Sequence, residues 1–492
     1  MTNKTPKKEL NMEEKDSLEL SFEESDFLKN EHPGDVNPYH IKPILNTLGC
    51  FFGLTLVFGV LNASGALEPL LHSELSLERV HKEIYENYKI DIEMKEISTV
   101  NISWIFSLNL FFLLGAGILG GCKIDRSGTK QLTLFGGILA IVSFFGFSQC
   151  GSSYAINGKM SAYKISEAKY IHIKEAKLVH FIITYGIFGI SQGLLMTCCF
   201  SSVSKWYSRL IATYSAIVSF GGSLGGILFP IMIRTTYSSL GFEKSMLIYS
   251  GIITFMGASC YFLMNDNFDK EDHKHEKEGF MDILRVYMRE TINLKYFLDH
   301  RFLIISVGLS CAEVGTSIIA TYLTSYCIKK GYTQKESYNF ITVMNCFGIV
   351  GRSYGFLADR YIGSFQMIII CMTAASFSTF VFLMALGKHH YGMYLYCVIY
   401  GSSISGFLSL CPTALKKMWP GNDFGKRFST MYLFAAVSTF PIIEVGGLII
   451  GDQKSSMRYQ YFWLFSSFIL LVGSLSYGYL RIKAKGFKME KY

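Results

Sequence analysis

Three charged side chains fall well inside long apolar runs, away from their ends: Arg352, Glu313 and Glu444. An arginine at the centre of an apolar helix costs about 2.5–3.5 kcal/mol on insertion scales, so such a group normally faces a cavity or a partner. The guanidinium of Arg352 is planar and always charged. It can grip a carboxylate, a polarised carbonyl or an imide through two parallel bonds. Glu313 and Glu444 can act as proton carriers or as the counter-ion of Arg352, and the residues alone leave both roles open. They also leave open that Arg352 serves only in an ion pair that holds the fold. Neutral polar residues recur in the same runs, among them Asn62, Gln192, Ser310, Asn345 and Ser402. Each can bind a solute or join one helix to another.

A second group of residues occurs twice. One copy reads Gly121-Cys-Lys-Ile-Asp125-Arg126-Ser-Gly128, the other Gly355-Phe-Leu-Ala-Asp359-Arg360-Tyr-Ile-Gly363. Both are G-x-x-x-D-R followed by a glycine. A basic turn between apolar runs would explain the charges. It would not explain the glycines.

The elements that must position these residues follow from the composition. Half of the 492 residues are hydrophobic, 15% are aromatic and 17% are charged, against about a quarter charged in ordinary soluble proteins. This excludes a disordered or fibrous chain and argues against a soluble enzyme. A bilayer core needs about 20 apolar residues in a helix. Twelve such stretches are expected, at 44–69, 98–121, 131–150, 178–203, 211–233, 245–264, 301–326, 337–358, 365–387, 391–415, 427–450 and 460–480. They predict an all-α membrane protein with two six-helix bundles, 44–264 and 301–480. Residues 1–43 hold 10 acidic and 6 basic residues without an apolar core, and they read as a disordered tail. Residues 265–300 read as a polar central loop, with a short surface helix near 280–291, and 481–492 as a second tail. More of the Lys and Arg lie on the side of the termini, which places both termini in the cytoplasm.

The 12 cysteines show no paired C-x-x-C or His spacing, so a zinc site is not expected. There is no P-loop, H-E-x-x-H or G-x-S-x-G in a strand–turn–helix setting, so no enzyme, cofactor or metal is expected. The net charge of +8 is read as membrane orientation, with no nucleic-acid partner. The expected partners are a small-molecule substrate and the lipid bilayer, with one chain as the transport unit.

The duplicated G-x-x-x-D-R, in register with twelve runs, resembles the cytoplasmic loop motif of the major facilitator superfamily. The resemblance implies gating. Gly121, Asp125, Arg126, Gly128, Gly355, Asp359 and Arg360 would hold the two halves together on the cytoplasmic side. The carboxylates would accept bonds from a neighbouring helix N-terminus. Within that superfamily, further stretches resemble the monocarboxylate-transporter-like family in its yeast branch, which includes riboflavin carriers. They are Gly49-Cys-Phe-Phe-Gly-Leu54, Phe58-Gly-Val-Leu-Asn62, Ile102-Ser-Trp-Ile-Phe-Ser107, Gly221-Gly-Ser-Leu-Gly-Gly226, Phe347-Gly-Ile-Val-Gly-Arg352 and Phe424-Gly-Lys-Arg-Phe-Ser-Thr-Met431. Ile283-Leu-Arg-Val-Tyr287 and Phe297-Leu-Asp299 of the central segment add to the likeness.

The family resemblance implies alternating access around a site near the midplane, a solute such as riboflavin or a related small organic molecule, and the plasma membrane rather than the vacuolar membrane. Arg352 matches the family's substrate-linked arginine, and Asn62, Glu313, Asn345 and Gln192 are expected beside it. Asn62 replaces the lysine of animal lactate carriers. Gly348 replaces their aspartate, one turn before the arginine. Proton-coupled monocarboxylate transport and a non-transporting nutrient sensor are the alternatives.

Overall fold

The structure is a computed structural model, and it describes residues 40–97, 99–156, 162–166, 169–207, 209–265, 294–450 and 456–485. In lipid every backbone N–H and C=O must find a partner within the chain, so the apolar runs become helices. The first half contains α1 (Ile41–Asn62), α2 (Ser64–Leu75), α3 (Glu78–Tyr88), α4 (Thr99–Gly115), α5 (Ile118–Ser127), α6 (Lys130–Ser148), α7 (Leu178–Trp206) and α8 (Ile211–Leu263). The second contains α9 (His300–Lys329), α10 (Gln334–Arg352), α11 (Tyr354–Leu357), α12 (Ser364–Ser378), α13 (His390–Met418), α14 (Phe424–Ile450) and α15 (Ser456–Lys485). Single π-helical turns follow α11 at Ala358–Ile362 and α12 at Thr379–Leu383.

Among the described residues, ten helices are long and apolar enough by themselves to cross a membrane. One of them is the 53-residue α8, which bends at Gly241, where φ is +75°. Glycine alone adopts that conformation without strain, so α8 is two spans. With α14 the spans number twelve, six in each half. Large apolar side chains such as Phe255, Phe262, Phe377 and Leu475 stand more than half exposed around the outside, as a lipid-facing surface requires.

Three stretches between the expected spans carry structure of their own. The polar stretch 234–244 does not form a loop: it stays helical apart from Gly241, because its Ser and Thr hydroxyls bond to carbonyls of their own helix, as in Thr236 to Met232 at 2.8 Å. The all-α architecture holds for the spans, and one connecting segment adds a small sheet. Residues 151–177 hold a three-stranded antiparallel sheet in the order β1 (Ser153–Ile156), β3 (Lys169–Lys174), β2 (Ala162–Ser166). Nor is 70–97 an open loop, since α2 and α3 occupy much of it. Val80, Ile84 and Ile92 form a small core there, with Tyr154 and Ile173 packed against it.

A buried ion network fastens this cap to the bundle. Glu74 is fully buried, pairs with Arg79 at 2.5 Å, and accepts from the Ser152 N–H at 2.9 Å and the Tyr237 hydroxyl at 3.1 Å. Arg79 also reaches Glu83 at 2.8 Å. Burial works against the Arg79 charge, but Glu74 and Glu83 outweigh it and hold its pKa above the ordinary value.

The halves meet along two seams. In one, α4 and α5 pack on α14, with the Phe440 ring 5.9 Å from Trp104 and 6.0 Å from Phe111. In the other, the first part of α8 packs on α10 and α11. The expected helix at 280–291 and most of both tails lie outside the described residues.

Candidate functional site

The site is built where the second seam crosses the middle of the molecule. α10 starts on a capping box, in which Thr333 and Glu336 satisfy each other's backbone N–H groups. It ends at Arg352, where Ser353 interrupts the helix. Only that one residue, itself in helical conformation, separates α10 from α11, so Lys335–Ile362 runs as a single span with Arg352 well inside it. It is 4% exposed. Its Nε donates to Ser223 Oγ of α8 at 2.6 Å, and its guanidinium lies 5.7 Å from the ring centre of Phe58 on α1. Gly222 makes room for Phe58: a Cβ there would stand 2.6 Å from the Phe58 Cβ, and 3.4 Å from Arg352 Nη2.

Asn62, one turn beyond Phe58, donates to the Gly222 carbonyl at 3.4 Å. The structure thus brings Arg352 and Asn62 together around one glycine. Asn345 lies seven residues before Arg352 on the same side of α10 and is half-buried.

Glu313 stands apart on α9. It is 7% exposed and within electrostatic reach of the Tyr400 and Tyr432 hydroxyls. Among the described residues, no carboxylate lies within ion-pair distance of Arg352, so the strut to Glu313 is not present. The Glu444 side chain lies outside the described residues. Gln192 is also apart. It is fully buried inside the first half, where its amide donates to the Val57 carbonyl at 2.7 Å and accepts from Asn109 at 3.0 Å. This is a link between α7, α1 and α4.

A Cβ at Gly348 would stand 2.8 Å from Ser405 Oγ and 3.4 Å from Ser223 Oγ, so a larger residue there would require Ser405 to move. Two residues of the site were not expected. Phe58 and Ser223 sit in a phenylalanine-rich and a glycine-rich run. The only clue was that Ser223 carries the one hydroxyl in Gly221-Gly-Ser-Leu-Gly-Gly226.

The repeated segments lie at one end of both seams. Asp125 accepts from the Gly425 N–H and the Lys426 N–H, each at 2.8 Å, at the start of α14 in the other half. Asp359 accepts from the Thr213 N–H at 2.7 Å, at the start of α8. A helix N-terminus carries unsatisfied N–H groups and a partial positive charge, so a carboxylate fits there.

The glycines have separate reasons. Gly121 faces the Gly425 carbonyl, 2.5 Å from where a Cβ would be, and Gly355 faces Ala216 at 2.7 Å. Gly128 and Gly363 take φ of +87° and +91° at the helix ends, a region that favours glycine. Arg126 and Arg360 are exposed, with Arg360 lying 5.3 Å from the Tyr361 ring centre. Lysines brace both clasps. Lys205 donates to the Ile124 carbonyl at 2.8 Å, and Lys417 lies 3.6 Å from Asp359.

Comparison with known proteins agrees with this geometry. Residues 50–442 match the family described as Major Facilitator Superfamily. The chain belongs to the major facilitator superfamily. It is similar to the riboflavin transporter MCH5 of Saccharomyces cerevisiae, 26% identical over 464 residues, covering 91% of this chain and 79% of that one. It is similar also to the MFS-type transporter opdF of Penicillium oxalicum, 22% identical, covering 80% and 84%. Among solved structures, the human organic anion transporter MFSD10 (TETRAN) superposes with a TM-score of 0.61 at 13% identity, covering 88% of this chain and 99% of that one. The proton:xylose symporter XylE gives 0.60 at 13% identity, covering 92% and 97%. As a member of the superfamily, the chain is a multi-pass membrane transporter.

Proposed function

We propose that this protein carries riboflavin or a related small organic solute across the plasma membrane by alternating access. The observation that carries the reading is the buried guanidinium of Arg352 at the seam between the halves, with no carboxylate beside it among the described residues. A buried arginine fork needs a polar partner, and a solute can supply one. A flavin ring offers carbonyl oxygens that accept from the Nη1–Nη2 edge and a flat face for Phe58. Asn62 and Asn345 would add neutral donors and acceptors. The riboflavin transporter among the relatives supports this choice of solute.

Asp125 and Asp359 would act as the gate. Each ties one half to a helix start in the other, so both clasps must part when the carrier opens toward the cytoplasm. Arg126, Arg360 and the four glycines would shape and hold those turns.

The test is growth. A yeast strain that lacks riboflavin synthesis should grow on low external riboflavin when it expresses this protein, and should fail when it expresses the Arg352→Ala variant at equal surface level. Failure of the parent protein to support growth would reject riboflavin as the solute.

A further inference from the structure

We propose that Ser223 is the positioning residue of Arg352: it reaches across from the other half and fixes which edge of the guanidinium meets the solute. The inference rests on the reading that the solute binds Arg352. A guanidinium has two edges able to form paired bonds, one through Nε and one through the two Nη atoms. Ser223 Oγ accepts the hydrogen bond from Nε–H at 2.6 Å, which removes the first edge from competition. Phe58 covers a face of the group at 5.7 Å, and Gly222 backs Nη2 without a side chain. The Nη1–Nη2 edge is what remains for a ligand.

Ser223 is itself 3% exposed. In this position its hydroxyl serves Arg352, whereas hydroxyls such as Thr55 and Thr235 bond to carbonyls of their own helices. Gly348 lies beside the pair: a Cβ there would reach ordinary contact with Ser223 Oγ, at 3.4 Å, and would crowd Ser405 Oγ, at 2.8 Å. Arg352 and Ser223 belong to different halves, so the bond exists only while this seam is closed.

An arginine stem released from its tether samples several rotamers, and affinity falls by roughly the number gained. The expected loss for Ser223→Ala is therefore about 3- to 10-fold in KM, with maximal rate within about twofold. Ser223→Thr keeps the hydroxyl and should restore KM.

Labelled riboflavin uptake in cells expressing the parent, Ser223→Ala and Ser223→Thr gives the first readout. Melting temperatures of purified parent, Ser223→Ala, Arg352→Met and the double variant give the second, and that one needs no ligand. The proposal expects a KM rise reversed by threonine, and a double variant no less stable than Arg352→Met alone. An unchanged KM in Ser223→Ala, or a lowered maximal rate with normal KM, would overturn it. If the parent takes up no riboflavin, the solute assignment fails and the melting cycle decides: additive losses overturn the tether, and non-additive losses sustain it.

Discussion

Replacing both Asp125 and Asp359 with alanine should open the end of the protein where the repeated segments lie. The two carboxylates accept three backbone N–H bonds across the seams, at 2.7–2.8 Å. Hydrogen bonds to a charged group are worth about 1.5–3 kcal/mol each. Asp125 is part-exposed, and water takes up the freed N–H groups once the halves separate, so the net loss is put at about 2–3 kcal/mol for the pair of substitutions. At about 1.4 kcal/mol per factor of ten, the balance between closed and open forms shifts roughly 30- to 150-fold toward opening.

Spin labels at Ser127→Cys and Asn422→Cys read this directly. Both positions are exposed, one in each half and both beside a clasp, and the exposed Cys346 is first replaced by serine. The parent should show one short distance, and the double alanine variant a predominantly longer one. An unchanged distance distribution, with transport at the parent rate, would refute the clasp argument. Asp→Glu at either site should fall between the two, since the longer carboxylate no longer fits the helix start it meets.

Other outcomes follow from the same geometry. Arg352→Lys should lose most uptake at normal surface expression, because one ammonium cannot reproduce a planar fork; uptake of labelled solute measures it. Gly121→Leu should block transport by forcing α5 away from the Gly425 carbonyl, and cross-linking between α5 and α14 should drop with it. Arg79→Ala should leave Glu74 as an unpaired buried charge and cost about 3 kcal/mol, seen as a lower melting temperature with substrate affinity unchanged. A tag inserted near residue 158, between β1 and β2, should be reachable only from the side opposite the N-terminus.

The twelve spans were legible because lipid demands about 20 apolar residues per crossing, and runs such as 365–387 and 391–415 are hard to read otherwise. The duplicated loop was legible because its glycines and carboxylates recur in register; what the sequence could not show was which N–H groups each carboxylate meets, since Gly425 and Thr213 are far away in the chain. The helix through 234–244 was not legible, because Arg234, Thr235 and Ser238 look like a polar loop until their backbone bonds are seen. The sheet at 151–177 was hidden by short strands rich in lysine and tyrosine. Ser223 was masked by its glycine neighbours, which read as packing, and Gln192 misled because a fully buried amide looks the same in sequence as one lining a cavity.

Transport of riboflavin through the Arg352 site is tested most directly with purified protein in liposomes. Labelled riboflavin should enter vesicles carrying the parent protein, saturably and down its gradient, and should not enter those carrying Arg352→Ala above the rate of empty vesicles. Equal entry with both proteins would contradict the site, and no entry with the parent would contradict the solute.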